Sequence, residues 1–363
     1  MRLVILGPSH HPVVEPFAGG LERFTADLTR GLRMRGHHVE LHALTGSDAS
    51  IADRFHPMPR LPPLSDVASA DPNLPEPQFM HDQFVYLAAM RDLVRRDDVD
   101  AVLNESLHQL PLAFGPVLDV PVLTTLHTPP FPWMELGAWL AADSGHFVAV
   151  SDALRAQWAG RVSSRVILNG VDPEPLPLST GGPDLAWVGR LTPEKGADLA
   201  IRAAHRAGRG LRLAGPVSDP DWFDAVIRPM LGGTVRYLGP LAGPDVAALY
   251  GSSAATLVTP RWEEPFCLVA AESQMCGTPV AGIRRGGLPE VVTGPGGRLV
   301  DPGGDVTAGL AAAVDEAVRV DRAFVAAHAR RTLHWNQMLD GYEQLLRELT
   351  DTWAARRMRR ELA

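Results

Sequence analysis

Lys195 is the single lysine among 34 basic residues, the remainder being arginine, and it lies in VGRLTPEKGADLA (Val188–Ala200) five residues after Arg190. An ammonium is a compact point charge and a guanidinium a broad planar fork, so a narrow site that needs one positive charge cannot accept arginine instead. The pair brackets a strand end and the first turn of a helix, where two cations would offset the charge on a departing diphosphate. A surface lysine kept by chance is the competing reading.

A second segment, TPRWEEPFCLVAAESQMCGTPVAG (Thr259–Gly282), places Glu264 before a helix and Glu272 eight residues later, inside it. At helical rise the two would be about 12 Å apart. The carboxylate pair of a glycosidase sits at about 5–9.5 Å, so this spacing suits two carboxylates that hold different hydroxyls of one extended ligand. Between them, the amides of Phe266, Cys267 and Leu268 would face an anion at the helix N-terminus. In GPSHHPVVEPFAGGLERF (Gly7–Phe24), Gly19 and Gly20 open a helix and let backbone approach a phosphate or sugar. The compact G-x-G-x-x-G is absent, which weakens a nicotinamide-binding reading. His127, in TLHTPP, follows a strand and has the chemistry to bond a sugar hydroxyl or a phosphate, unless it is an ordinary loop histidine. Asp219 and Asp221 form a D-x-D, but they immediately precede a helix and read as caps, so no metal is expected.

The elements that must carry these residues alternate between short β-branched runs and helical stretches, the signature of parallel sheets covered by helices. Expected strands in the first half are Leu3–Leu6, Val39–Leu44, Ala101–Leu103, Val122–Leu126 and Phe147–Val150, followed by RVILNGVD (Arg165–Asp172). Helices are expected around Gly20–Arg35, Gln83–Arg95, Trp133–Ala142 and Ala153–Ala159. Residues 46–79 are proline-broken and read as a mobile functional loop or an edge insertion. The second half repeats the pattern at Leu185–Val188, Leu211–Ala214, Val235–Leu238, Ala255–Val258, Val280–Ile283 and Arg298–Val300. A last helix from about Asn336 carries Met338, Tyr342, Leu345, Leu346, Leu349 and Trp353 on one stripe. Domains are therefore expected over residues 1–170 and 185–335, joined by a linker at 171–184, with a last helix at 336–363 whose apolar stripe packs onto another element. Ligands of such sheets bind beyond the carboxyl ends of strands.

A hydrophobic share of 45% with 21% charged residues is globular, and no apolar run approaches the ~20 residues that span a bilayer. The first apolar run is too short for a secretory leader and reads as a buried strand. Two cysteines without ligand spacing fit a reducing cytoplasm, and a net charge of −8 argues against nucleic acid. The basic end Arg356–Leu362 reads as a solvated helix end, with peripheral membrane contact as its upper limit.

The residues together resemble the retaining GT-B glycosyltransferases, specifically glycosyltransferase family 4. The resemblance rests on VGRLTPEKG, on EEPFCLVAAESQMCGTPV with its E-x7-E spacing, on GGLPEVV (Gly286–Val292) and on GGRLVDPGG (Gly296–Gly304). VSDALR (Val150–Arg155) and ILNGVD (Ile167–Asp172) support it. It implies two Rossmann-like domains facing a cleft, the acceptor held by the first and a nucleotide-sugar donor, most simply a UDP-hexose, held mainly by the second as co-substrate rather than cofactor. The last helix would cross back onto the first domain of a metal-independent bacterial enzyme. The acceptor would be a small molecule or a lipid-linked saccharide. Arg190 and Lys195 would hold the diphosphate and Glu272 the ribose. Glu264, Pro265, Phe266, Cys267 and Leu268 would hold the transferred sugar, with His127 beside it. Gly19, Gly20, Gly189 and Leu241 would complete the binding set. The family usually has glycine at the place of Cys267. Residues 46–79, Glu105, His108 and TPPFPWMELGAW (Thr128–Trp139) fall on the acceptor side and are expected to shape its pocket, with Trp133 and Trp139 stacking on a sugar or ring unless they pack in the core. A sugar-nucleotide epimerase or hydrolase, or a non-enzymatic sugar-nucleotide-binding protein, would share the fold.

Overall fold

The computed structural model describes residues 1–361, apart from the side chains of residues 143 and 356–361, so the expectation about the arginine-rich end lies outside the described residues. Two all-parallel sheets form. The first comprises β1 (Arg2–Leu6), β2 (His38–Ala43), β3 (Arg54–Pro57), β4 (Ala101–Asn104), β5 (Val122–Leu126), β6 (His146–Ala149) and β7 (Ser164–Val166), in the order β3-β2-β1-β4-β5-β6-β7. The second comprises β8 (Leu185–Val188), β9 (Leu211–Ala214), β10 (Val235–Tyr237), β11 (Ala255–Val258), β12 (Val280–Ile283) and β13 (Gly297–Val300), in the order β10-β9-β8-β11-β12-β13. Strands β1, β4, β5, β11 and β12 are buried end to end or nearly so, which is why they read as continuous apolar runs and not as alternations. Strand order reverses between β1 and β4 and again between β8 and β11, and each reversal opens a crevice at the strands' carboxyl ends.

Residues 46–79 differ from the expected loop. They contribute edge strand β3, whose Pro57 is tolerated because the outer edge needs no ladder donor, and the first residues of the helix Pro77–Leu93, which starts six residues before the expected Gln83. The short helix Gln109–Phe114 was not anticipated, because Pro111 interrupts its pattern. RVILNGVD is strand only through Val166. Beyond it Val171 pairs with the chain near His334, its amide donating to Leu333 O at 2.8 Å and its carbonyl accepting from Trp335 N at 3.1 Å.

That crossing delivers the terminal helix, Trp335–Glu361, to the first sheet. Trp335, Met338, Leu339, Tyr342, Leu345 and Leu346 are buried in one core with Leu28 and Leu32 of the helix Gly20–Met34 and with Ile5, Leu41 and Leu103 of the sheet. Each fully buried large side chain of that stripe contributes about 1.5–3 kcal/mol. A second core belongs to the second sheet. A third is shared: Leu126, Leu154 and Trp158 of the first half pack with Phe266, Ala270, Met275 and Leu288 of the second.

The shared core is flanked by a polar joint. Glu290, in the short helix Leu288–Val291, accepts from the amides of Asp152 and Ala153 at 2.8 and 2.9 Å and so caps the helix Asp152–Gln157 of the other half. Ser151 caps the same helix through Leu154 N at 3.0 Å, while its hydroxyl donates to Pro265 O at 2.6 Å. VSDALR and GGLPEVV are thus two sides of one joint. Replacing Glu290 with alanine orphans two amides at once. We expect a loss of about 1–2 kcal/mol, read as a melting temperature lower by about 2–4 °C. Faster proteolysis in the linker should accompany it.

Candidate functional site

Arg190, Lys195, Glu264 and His127 stand in the connections after β8, β11 and β5, whereas Glu272 stands inside the helix Leu268–Met275 and Gly20 opens the helix Gly20–Met34. After β8, Leu191 continues the sheet edge through its amide to Pro216 O at 2.9 Å, and a single 3-10 turn, Pro193–Lys195, carries the lysine. Gly196 ends that turn at φ +69°, where a Cβ would lie 2.0 Å from Thr259 O. Only glycine lets the Lys195 loop close onto the end of β11. Lys195 Nζ donates to Glu264 Oε1 at 2.5 Å and lies 5.0 Å from the centre of the Trp262 ring, and Trp262 Nε1 donates to the same oxygen at 2.9 Å. Sequence reasoning passed over Trp262, although its place two residues before Glu264 was the available signal. Arg190 is exposed, and among the described residues its guanidinium has no partner.

The Glu264 loop is shaped from behind. Gly286, at φ +54°, would place a Cβ 2.1 Å from Glu264 O, and Gly287 N donates to that carbonyl at 2.6 Å. Glu264 is buried, as are Pro265 and Phe266. Cys267 then takes φ +84°, ψ +71°, and the helix Leu268–Met275 begins. Among the described residues no acceptor meets the amides of Phe266, Cys267 and Leu268. They remain available to an anion, together with the helix's positive end.

Cysteine in the left-handed region carries a backbone cost of about 1–2 kcal/mol that glycine would not. Burial, ahead of the Glu264 charge, pushes its thiol up to about 12, so the group stays protonated. Cys267→Gly should therefore keep turnover and hold or raise the melting temperature. Cys267→Val, β-branched at the same φ, should lower it by several degrees and weaken ligand binding in a thermal-shift titration.

Opposite stands the helix Gly20–Met34, with Gly19 as its extended N-cap. A Cβ on Gly20 would reach Leu268 Cδ1 at 3.4 Å, so the starts of the two helices meet across the gap between the halves. One turn into the first helix, Arg23 Nη1 lies 3.7 Å from Glu272 Oε1 and its Nε donates to Asp27 at 2.6 Å. Tyr250 OH donates to the other Glu272 oxygen at 3.3 Å. Burial is the largest influence on Glu272 and pushes its carboxyl above the usual range, with Arg23 pulling the other way. Arg23 was not anticipated; its position in GGLER, one turn after the glycines, was the available signal. Gly189 N donates to Ala214 O at 3.0 Å and holds the end of β8 to β9, and Leu241 packs on Ala186, Ala214 and Leu249. Asp219 caps its helix through Trp222 N at 2.9 Å, in keeping with the capping role expected of it.

His127 follows β5, and its loop is anchored by Trp158 Nε1 donating to Thr128 O at 2.8 Å. The ring bonds Glu105 at 2.6 Å and meets Phe24 edge-on at 4.7 Å. Glu105 is fully buried and does not line a pocket as expected of it. His108 caps the helix Gln109–Phe114 and stacks on Tyr86 at 4.6 Å, and burial lowers its pKa to about 4. Trp133 and Trp139 are 50% and 78% exposed, which removes the core-packing alternative for both.

Residues 18–175 match the family model described as Glycosyltransferase Family 4, and residues 182–319 match Glycosyl transferases group 1. The D-inositol 3-phosphate glycosyltransferase of Actinosynnema mirum is 30% identical over 320 residues, which cover 80% of this chain and 67% of that protein. The glycogen synthase of Mycobacterium tuberculosis is 28% identical over 390 residues, covering 92% and 90%. Among solved structures, Anabaena Alr3699/HepE in complex with UDP-glucose superposes with a TM-score of 0.73 at 18% identity over 96% of this chain and 100% of that one, a likeness of fold. Matched by these models along both halves, and by a relative 30% identical over two thirds of that relative's length, this chain of two doubly wound parallel sheets belongs to glycosyltransferase family 4 and is a nucleotide-sugar glycosyltransferase of the GT-B fold.

Proposed function

We propose that the protein transfers a hexose from a UDP-hexose to a hydroxyl of a small-molecule or lipid-linked saccharide acceptor, with retention at the anomeric carbon and without a metal. The observation that carries this reading is the meeting of Gly20 and Leu268, which brings two helix N-termini together beside Lys195 and Glu264. A diphosphate between them would be met by unpartnered amides from the second half, by the two helix dipoles, by the Lys195 ammonium and by the free Arg190 guanidinium. As the bond from the anomeric carbon to the diphosphate breaks, charge grows on the leaving oxygens where these groups already point. The acceptor hydroxyl attacks from the same face and passes its proton to the departing phosphate. Rate then comes from positioning and preorganised charge. Glu272 holds the ribose hydroxyls, Glu264 and His127 the hydroxyls of the sugar.

A thermal-shift comparison of UDP-, GDP- and ADP-hexoses tests the donor, because a ligand bound at a hundred times its Kd stabilises the native state by about 2.7 kcal/mol. The UDP series should give the largest shift. Anomeric proton coupling in the product should report the same configuration as the donor. An inverted product, or equal shifts for all bases, would overturn the corresponding part of the reading.

A further inference from the structure

We propose that Glu105 is a positioning residue that fixes His127 as a hydrogen-bond acceptor toward a hydroxyl of the transferred sugar, an inference that rests on the hexosyl-transfer reading above. Glu105 is the first residue after β4, at the switch point with β1, and its amide donates to Leu6 O at 2.9 Å. Its side chain is wholly enclosed. One carboxylate oxygen accepts from Thr125 Oγ1 at 2.9 Å and the other meets His127 Nε2 at 2.6 Å. Thr125 spends its single hydroxyl proton on Glu105, so in its 2.9 Å contact with Tyr342 it must accept. Burial, followed by the nearby Glu105 charge, holds the Tyr342 phenol well above its ordinary value, and it stays a donor. The hydrogen bonds therefore run one way, from Tyr342 on the terminal helix through Thr125 to the carboxylate.

An ionised carboxylate has no proton to give, so the hydrogen shared with His127 belongs to Nε2. In the neutral ring this leaves a lone pair on Nδ1. Among the described residues Nδ1 has no protein partner, and it is not one of the enclosed orphan atoms. Phe24 fixes the ring plane. A lone pair presented this way recognises a group that carries a hydrogen, which a sugar hydroxyl does and a phosphate oxygen does not.

The tautomer is readable in the free enzyme. In a long-range nitrogen–proton spectrum, with His127 assigned by comparison with His127→Asn, Nε2 should resonate as pyrrole-type and Nδ1 as pyridine-type. The reverse pattern overturns the inference whatever the enzyme transfers. Glu105→Gln offers an amide that donates to Nε2 and should exchange the two signals. In that variant kcat/KM for the preferred UDP-hexose should fall at least tenfold, and its preference over the monodeoxy donors should collapse at one hydroxyl only. Unchanged discrimination across the deoxy series would also overturn the proposal. Absence of sugar transfer by the wild type would instead defeat the functional reading, and the spectrum would still decide the role of Glu105.

Discussion

Replacing Lys195 with alanine is expected to reduce kcat by about 10²–10³-fold, the range typical of removing one preorganised group that meets developing charge. Stability should fall modestly. The ammonium is partly exposed, but its removal leaves a buried Glu264, and losing one charged partner there costs about 1.5–3 kcal/mol, moderated because Trp262 Nε1 continues to hold the same glutamate oxygen. A melting temperature a few degrees below wild type is therefore expected beside the loss of turnover. Lys195→Arg should rescue little, because a planar fork cannot occupy a space bounded by the Trp262 ring and Glu264. If single-turnover rates with a competent donor match wild type in the alanine variant, the lysine is not part of the leaving-group site.

Glu272→Gln separates binding from folding. Charge-assisted hydrogen bonds contribute about 1.5–3 kcal/mol against about 0.5–1.5 for neutral ones, so donor KM should rise roughly tenfold. The fold should gain or break even. A carboxyl whose folded-state pKa lies above its unfolded value binds its proton more tightly when folded, and its ionised form costs stability as pH rises through that raised value. Glutamine removes the cost, while Arg23 keeps its 2.6 Å bond to Asp27. The variant should melt at or above wild type at pH 7–8, and the difference should shrink as pH falls toward the usual carboxyl range of about 4.3. A variant that melts several degrees lower with unchanged KM would make Glu272 an anchor for Arg23 and nothing more.

Much of this was legible in the chain. Five strands, Val122–Leu126, Leu185–Val188, Leu211–Ala214, Ala255–Val258 and Val280–Ile283, form over the residues their apolar runs suggest, because a strand covered on both faces has no polar alternation to blur its ends. Lys195 and Glu264 stood out by residue type and spacing, and the structure brings them into direct contact. The unexpected features are those fixed by distant partners. Glu105 looked like a cleft residue until Thr125 and His127 enclosed it, and Arg23 gained meaning only from Glu272 in the other half. Glu290 could not be read as a cap from GGLPEVV, since the amides it satisfies lie 138 and 137 residues away. Of the two readings of the 46–79 segment, loop or edge insertion, its place at the sheet edge fits the second, and the strand itself was hidden because β3 borrows its ladder from β2 rather than from its own pattern.

The terminal helix follows the second sheet in the chain, yet its apolar stripe, with Tyr342 at the end of the His127 relay, belongs to the core of the first. A chimera made by exchanging halves with a relative at the 171–184 linker would therefore bring a foreign helix to that core and cut the relay. Recombinants should inherit residues 335–361 from the same parent as residues 1–170, and matched residues at 151–153 and 290 from both.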